Sequence, residues 1–546
     1  MNMSFTSFEF WVFFAAVFTA MHALMPWLSQ KTSASVTRNL RQGALLLLSV
    51  AFYVMAAGHL VILILASIAA NHAMAHVISR AHGVWRTVST SVAVTMNVAM
   101  LAAFKYAYFV AELIPHGPWS SLRLEHWMLP LGISFYTFQS LSYILDIHRS
   151  HIPRPARWWT FATYITFFPQ LVAGPIVRAR EFLPQLNQPF QGVSRVEGRA
   201  HLALIVSGFL KKLMLGDLLG AWLVDPVFAN PEGQAGWTVW LALYGYSLQV
   251  YADFSGYTDM AQGMAGLLGI SLPVNFRSPY RASSPASFWR RWHISLSTWW
   301  KDYLYIPLGG NRHFTAASVS FIAFALGALG WGWNEPGGWL VLAGISLMAA
   351  AAVLMSNHWM TRIAAATHVL IVMLVGGLWH GAHVNFITWG AINGVALAGW
   401  VLVAPRNSTQ PSSRIRTWLG WLVTFHIVVL SRIWFRAGSV VAWDESQTRP
   451  HPDDAWETAV ALWNRLSHWN IPHGDQAPLN FHILAGIALL LLGWALHARP
   501  DTTRDRHITW WSKRHEAYLV AAWIAGIVIT TTWPIAAAKP FIYWQF

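Results

Sequence analysis

Apolar runs of about 20 residues recur along the chain, separated by short polar loops rich in cations. A bilayer core of about 30 Å is crossed by about 20 apolar residues in a helix. The pattern therefore predicts membrane-embedded helices at 8–27, 43–57, 60–79, 90–111, 127–147, 158–177, 201–222, 237–256, 314–333, 338–355, 366–380, 385–404, 415–435, 480–498 and 515–534. Several runs are shorter than a full crossing and are expected to tilt or re-enter, which leaves about 11 to 14 true crossings. The runs are continuous, whereas a transmembrane β-barrel alternates polar and apolar residues in segments of about ten. The expected fold class is an all-α polytopic membrane protein.

Loop charges set the orientation. Lys31, Arg38 and Arg41 follow the first run, Arg80 and Arg86 the third, and His148, Arg149, His151, Arg154 and Arg157 the fifth. Arg178, Arg180, Arg195 and Arg199 follow the sixth. The positive-inside rule assigns these loops to the cytoplasm. Basic loops on both sides of 158–177 predict that this run does not cross or is re-entrant. Residues 437–479 carry Asp444, Glu445, Asp453, Asp454, Glu457 and Asp475 against Arg449 and Arg465, and read as external. Residues 499–514 are basic and read as cytoplasmic, so both termini are expected outside. The first run lacks a basic leader and a small-residue cleavage pattern, so it reads as a retained helix.

Composition narrows the picture. Hydrophobic residues make up 55% of the 546 and charged residues 11%, against about 25% charged in soluble domains. The net charge of +14 sits in loops beside apolar runs. This argues for attraction to anionic headgroups and against nucleic-acid binding. No cysteine is present, which excludes disulfides and thiol chemistry. The Pro/Ser-rich stretch 404–416 suggests a division into a transmembrane core, 1–405, and a C-terminal helix group, 406–546, holding the external segment 437–479 and an aromatic tail, 535–546.

Two stretches carry candidate chemistry. Between Ala286 and His313, Arg290, Arg291, His293, Lys301 and Arg312 are interleaved with Trp289, Trp292, Trp299, Trp300, Tyr303 and Tyr305. Ionisable residues inside so apolar a chain are expensive and mark function; the plainer reading is an interfacial helix with aromatic anchors and snorkelling cations. Pro285 suits a first helical position and Ser283 or Ser284 a cap, so a helix from about Ala286 would carry Trp289, His293 and Ser297 on one face. Pro307-Leu-Gly-Gly should end it. The second stretch, G-G-L-W-H-G-A-H-V-N at 376–385, places His380 at the end of an apolar run. A neutral buried imidazole is the form a general base needs; a histidine packed between helices is the alternative. His380 and His383 stand three apart without a neighbouring carboxylate, so no metal is expected. Asp253, Tyr251, Asp259, Gln249 and Asn275 would either line a tunnel or knit helices together.

The run R-W-H-I-S-L-S-T-W-W-K-D-Y-L-Y-I-P-L-G-G-N-R at 291–312, with W-H-G-A-H following at 379–383, resembles the membrane-bound O-acyltransferase family. It is most similar to the bacterial branch of alginate O-acetylases and teichoic acid D-alanyl transferases. Y-A-D-F-S-G-Y-T-D at 251–259, F-F-P-Q-L-V-A-G-P-I-V-R at 167–178, S-F-Y-T-F-Q at 134–139 and W-F-R-A at 434–437 extend the likeness over about residues 100–440. The resemblance implies a bowl of membrane helices around a tunnel, with His380 as catalytic base and His293 its partner. The tail K-P-F-I-Y-W-Q-F at 539–546 reads from composition as an interfacial anchor. It also resembles the ending of a small partner peptide of the D-alanylation system, which implies Tyr543 as a transient acyl acceptor; Trp544 stands where phenylalanine is usual.

The implied activity moves an acetyl group from cytosolic acetyl-CoA across the inner membrane, for O-acetylation of an exported polysaccharide of alginate or cellulose type through a periplasmic acetyltransferase partner. By their chemistry Arg178, Arg290, Arg291, Lys301 and Arg312 could hold the coenzyme's phosphates on the cytoplasmic face, or could equally be positive-inside residues. The rival expectation is a transporter or flippase of a lipid-linked sugar, which predicts broken helices in symmetric halves; no such halves are seen in the sequence.

Overall fold

The computed structural model describes residues 3–113, 130–172, 174–188, 192–322, 358–404, 413–440, 452–469 and 481–532. Every regular element among them is helical. Six helical stretches are long and apolar enough to cross a membrane: Phe8–Leu28, Ala34–Arg80, Gly83–Tyr106, Trp359–His380, Val384–Val403 and Arg414–Ser439. The second contains two helices, Ala34–Ala57 and Val61–Arg80, separated at Gly58, whose φ of 57° a β-carbon would disfavour. This is a multi-pass, all-α membrane protein. The runs 314–333 and 338–355, the linker residues 405–412, part of the acidic stretch 437–479 and the tail 535–546 lie largely or wholly outside the described residues.

Two compact units form. One comprises Met1–Ser278 with Ser439–Phe546, the other Pro279–Gly438.

In the first unit, the run at 158–177 becomes two short helices, Trp158–Thr166 and Phe168–Leu171. Nine residues rise only about 14 Å, less than half of a bilayer core. This agrees with the expectation drawn from its basic flanks. From Thr160 to Val172 the stretch is buried, and Gln170 Nε2 donates to Tyr164 O at 2.7 Å across the break.

The run predicted at 237–256 belongs to a longer helix, Gly236–Leu267. It lies against the Arg195–Leu210 helix at a close crossing: a β-carbon on Gly208 would overlap the Gly256 carbonyl. Small residues permit such an approach between membrane helices. The crossing brings Lys212 Nζ to 2.7 Å from Asp217 Oδ1 and 2.6 Å from Asp253 Oδ1, all three buried. Lys211 Nζ stands 2.5 Å from Asp259 Oδ2. Asp253 and Asp259 thus knit helices. Removing one member of a buried ionic group costs about 3–5 kcal/mol, whereas replacing the whole group by apolar residues is often neutral. Lys212→Met, which leaves two buried carboxylates without their cation, should therefore lower the melting temperature in detergent more than the triple change Lys212→Met, Asp217→Leu and Asp253→Leu. Equal or reversed losses would contradict this account of the triad.

The acidic stretch also contains a helix, Pro452–Arg465, followed by a turn in which His468 O accepts the Gly236 N–H at 2.7 Å. The Phe481–His497 helix packs Leu490 on Leu219, Leu223 and Leu248. The Glu516–Thr532 helix packs Leu519 on Ala203 and Val206, and Glu516 accepts from Arg195 and Arg199 at 3.0 and 2.8 Å.

In the second unit, His358–His380 and Val384–Val403 form a helical hairpin joined by three residues. Arg362 donates to Leu402 O and, at 3.1 Å, to Ala404 O, closing the open end. The Arg414–Val440 helix is tied in by Asn393 Nδ2 donating to Ser431 Oγ at 3.0 Å and Trp421 Nε1 donating to Tyr280 O at 2.9 Å.

Candidate active site

Pro285 and Ser284 start a helix as expected: Ser284 Oγ accepts the Ser287 N–H at 3.2 Å. The helix does not continue through His293. It ends at Trp289, and a second, Ile294–Trp300, begins after His293, which adopts φ 44°, ψ 55°. The single face carrying Trp289, His293 and Ser297 is therefore not formed. A left-handed residue cannot sit inside a right-handed helix. For a residue other than glycine that backbone costs about 1–3 kcal/mol and persists where its surroundings over-determine it. Those surroundings are dense: Trp292 and His293 are buried, and Trp292 stacks on Phe288 with ring centroids 5.7 Å apart. Strain of this kind gathers at functional sites.

Beyond Trp300 the chain winds through a wide turn, Lys301–Tyr305, in which Ile306 N–H donates to Lys301 O at 2.9 Å. Pro307–Gly310 then end the helical path as expected. His368 Nδ1 donates to Gly310 O at 2.9 Å, so this histidine anchors the turn to the hairpin. Arg290, Lys301 and Arg312 are exposed and Arg291 is half-buried. These four cations surround the buried tryptophan layer in sequence without entering it.

His380 ends its helix and is buried. Its ring meets Trp379 at 4.8 Å, Trp389 at 5.0 Å and Phe435 at 5.2 Å, all edge-on. The glycines flanking it leave room for this packing: a β-carbon on Gly381 would overlap the Phe386 ring, and one on Gly377 would overlap the Phe386 carbonyl. His383, three residues on, caps the next helix, Nδ1 accepting the Asn385 N–H at 3.1 Å. That bond places the neutral ring's proton on Nε2. Among the described residues no group of three histidines, aspartates or glutamates is arranged to hold a metal.

The two histidines, 87 residues apart, share a neighbour. Trp379 lies 6.5 Å from the His293 ring and 4.8 Å from the His380 ring, centroid to centroid. Sequence reading passed over Trp379, although it stands in the W-H-G-A-H motif. It also missed Arg432. This buried guanidinium lies 4.8 Å over the Trp292 ring and 5.4 Å from that of Phe435. It links the residue before His293 to a ring that touches His380. Its one legible signal was a cation in an apolar run. Tyr543 lies outside the described residues.

Burial pushes the His293 imidazole down, to about 3. In the unfolded chain it binds a proton below about pH 6.5. Between those values the unfolded state holds more protons, so stability falls as pH falls, by up to about 1.4 kcal/mol per pH unit. Melting between pH 7 and pH 5 should show this loss in the wild type and a shallower one in His293→Gln. Parallel profiles would contradict it.

The fold and these contacts define a multi-pass helical membrane protein with two buried histidines gathered around one indole. The chain belongs to the membrane-bound O-acyltransferase family, MBOAT, whose sequence pattern matches residues 10–330. It is 35% identical over 356 residues to the probable alginate O-acetylase of Pseudomonas aeruginosa, covering 64% of this chain and 58% of that protein. With the probable alginate O-acetylase of Pseudomonas putida, identity is 32% over 479 residues and 83% of each chain. With the peptidoglycan O-acetyltransferase of Helicobacter pylori it is 31% over 367 residues, covering 62% and 60%. The match to the Pseudomonas aeruginosa protein spans little more than half of that relative's length.

Proposed function

We propose that this protein is an O-acyltransferase that takes an acetyl group from cytosolic acetyl-CoA and delivers it across the inner membrane toward an exported polysaccharide. The observation that carries the reading is the meeting of His293 and His380 at Trp379 inside one unit. Membership of the family and similarity to proteins named for alginate and peptidoglycan O-acetylation support it.

Acyl transfer from a thioester needs a base for the attacking hydroxyl and support for the oxyanion. On this reading His380 takes the hydroxyl proton as the oxygen attacks the thioester carbonyl. The tetrahedral adduct collapses with cleavage of the C–S bond, and the proton passes to the departing thiolate. His293, kept neutral by burial, orients the acceptor or hydrogen-bonds the carbonyl oxygen. The aromatic surround of His380 limits the access of water, which would otherwise compete with the acceptor hydroxyl.

Arg290, Arg291, Lys301 and Arg312 would meet the coenzyme's phosphates from the cytoplasm. The first acceptor is Tyr543, and a periplasmic acetyltransferase partner then carries the group to an alginate- or cellulose-type polymer. Both termini face the periplasm in this scheme. Incubation of purified protein with labelled acetyl-CoA tests the activity: release of free coenzyme with label retained on protein or polymer supports it. Binding of a lipid-linked sugar without label transfer would point to a transporter instead.

A further inference from the structure

Three basic segments that are distant in sequence, two of them helical and one a loop, converge on one concavity of the first unit. Arg38, Arg154, Arg157 and Arg180 line a cavity of about 700 Å³ together with His151. Among the described residues no carboxylate belongs to the lining. Two acids meet lining residues: Glu181 lies 4.0 Å from Arg180, and Asp146 lies 3.3 Å from His151. Behind the arginines the wall is built and buried. Thr160 Oγ1 donates to Gln42 Oε1 at 2.9 Å, and Gln42 Nε2 donates to Leu186 O at 2.8 Å. Beside it the buried Arg41 donates to the Gln188 and Leu268 carbonyls at 3.1 and 3.0 Å.

The positive-inside rule accounts for cations in each segment separately. It does not require them to surround one cavity, and four guanidiniums lining one hollow make it electropositive and favourable to an anion. Guanidinium is also the group that best matches a phosphate's oxygens. Residues next to the lining in sequence are apolar and exposed: Val36 and Leu40 beside Arg38, Trp158 and Trp159 beside Arg157. Exposed tryptophans mark the headgroup level of a bilayer, and exposed aliphatic residues on a helix of crossing length offer a path for acyl chains. A soluble phosphate compound would have no use for that apolar rim.

We infer that this cavity is a binding site for an anionic phospholipid, its phosphodiester headgroup held by Arg38, Arg154, Arg157 and Arg180. The lining shares no residue with the histidine pair, and the inference does not rest on the proposed acyl transfer. Basic pockets between membrane helices on the cytoplasmic side commonly hold such headgroups.

The test uses the purified full-length protein in detergent, with phosphatidylglycerol and phosphatidylcholine added in parallel. Native mass spectrometry counts retained lipid, and melting reports stabilisation. The wild type should retain phosphatidylglycerol in preference to phosphatidylcholine and gain melting temperature only with the former. Each of Arg154→Gln and Arg157→Gln should weaken retention about fivefold, and the triple variant with Arg38→Gln should abolish it. A control variant, Arg414→Gln with Arg416→Gln, changes exposed cations elsewhere and should bind as wild type. If the triple variant fails to fold, the two single variants decide. Equal retention of the two lipids by the wild type, or undiminished retention by the single variants, would overturn the site. Binding of inorganic pyrophosphate without phosphatidylglycerol binding would overturn the lipid assignment.

Discussion

Replacing His380 by alanine removes acetyl transfer from membranes that contain normal amounts of the protein. A positioned general base contributes about 10² to 10⁴ in rate, so the residual activity should fall by at least that range. The substitution also opens space among Trp379, Trp389 and Phe435, which meet the imidazole at 4.8–5.2 Å. His380→Gln separates the two effects. Glutamine fills much of the same space and keeps a polar tip, but does not act as a base. Near-normal melting with activity lost in His380→Gln is the expected pair of results. Wild-type rates in either variant would remove His380 from the chemistry.

The second large effect is expected at Tyr543. Phenylalanine retains the ring that an interfacial anchor uses and lacks the hydroxyl that an acyl acceptor needs. Tyr543→Phe should therefore leave the protein in the membrane at its usual level and abolish delivery of label to the polymer. It should also remove label bound covalently to the tail, which mass spectrometry of the C-terminal peptide would detect. Full activity in this variant would leave the tail as an anchor only. His380→Ala and Tyr543→Phe differ in one informative way. Without the base, labelled tail does not form; without the acceptor, slow hydrolysis of acetyl-CoA at His380 can still proceed.

Much of the helical framework was legible as hydrophobic runs. The boundaries at Val384–Val403 and Phe481–His497 fall within a residue or two of the runs predicted at 385–404 and 480–498. The short helical pair at 158–171 was legible too, because cations on both sides of an apolar run argue against a crossing. What could not be read was conformation imposed by packing. The break at His293 has no glycine or proline to announce it; the chain accepts a left-handed histidine because the buried tryptophans around it hold it there. The end of the long Gly236–Leu267 helix was missed for a related reason. Its polar half, with Asp253 and Asp259, loses apolar character in the sequence, and the lysines that pair with them lie about 45 residues upstream.

The candidate site was half legible. His293 and His380 stood out as ionisable residues in apolar surroundings. Their common neighbour, Trp379, did not, because one tryptophan among 34 carries no signal of its own. Arg432 was hidden in the same way inside an apolar helix, and only the three-dimensional stacking on Trp292 and Phe435 gives it a role. A guanidinium between these rings holds the two histidine-bearing segments in one layer, as cation–π contacts do in desolvated places.

On the proposed reading this chain breaks a thioester and carries the acyl group itself. The most direct measurement is the fate of the acetyl group when purified protein meets acetyl-CoA labelled in that group, without polymer or partner. Stoichiometric release of free coenzyme thiol and label attached to the protein at Tyr543 are expected, with neither in His380→Ala. Intact acetyl-CoA and unlabelled protein after the same incubation would contradict the proposed reading.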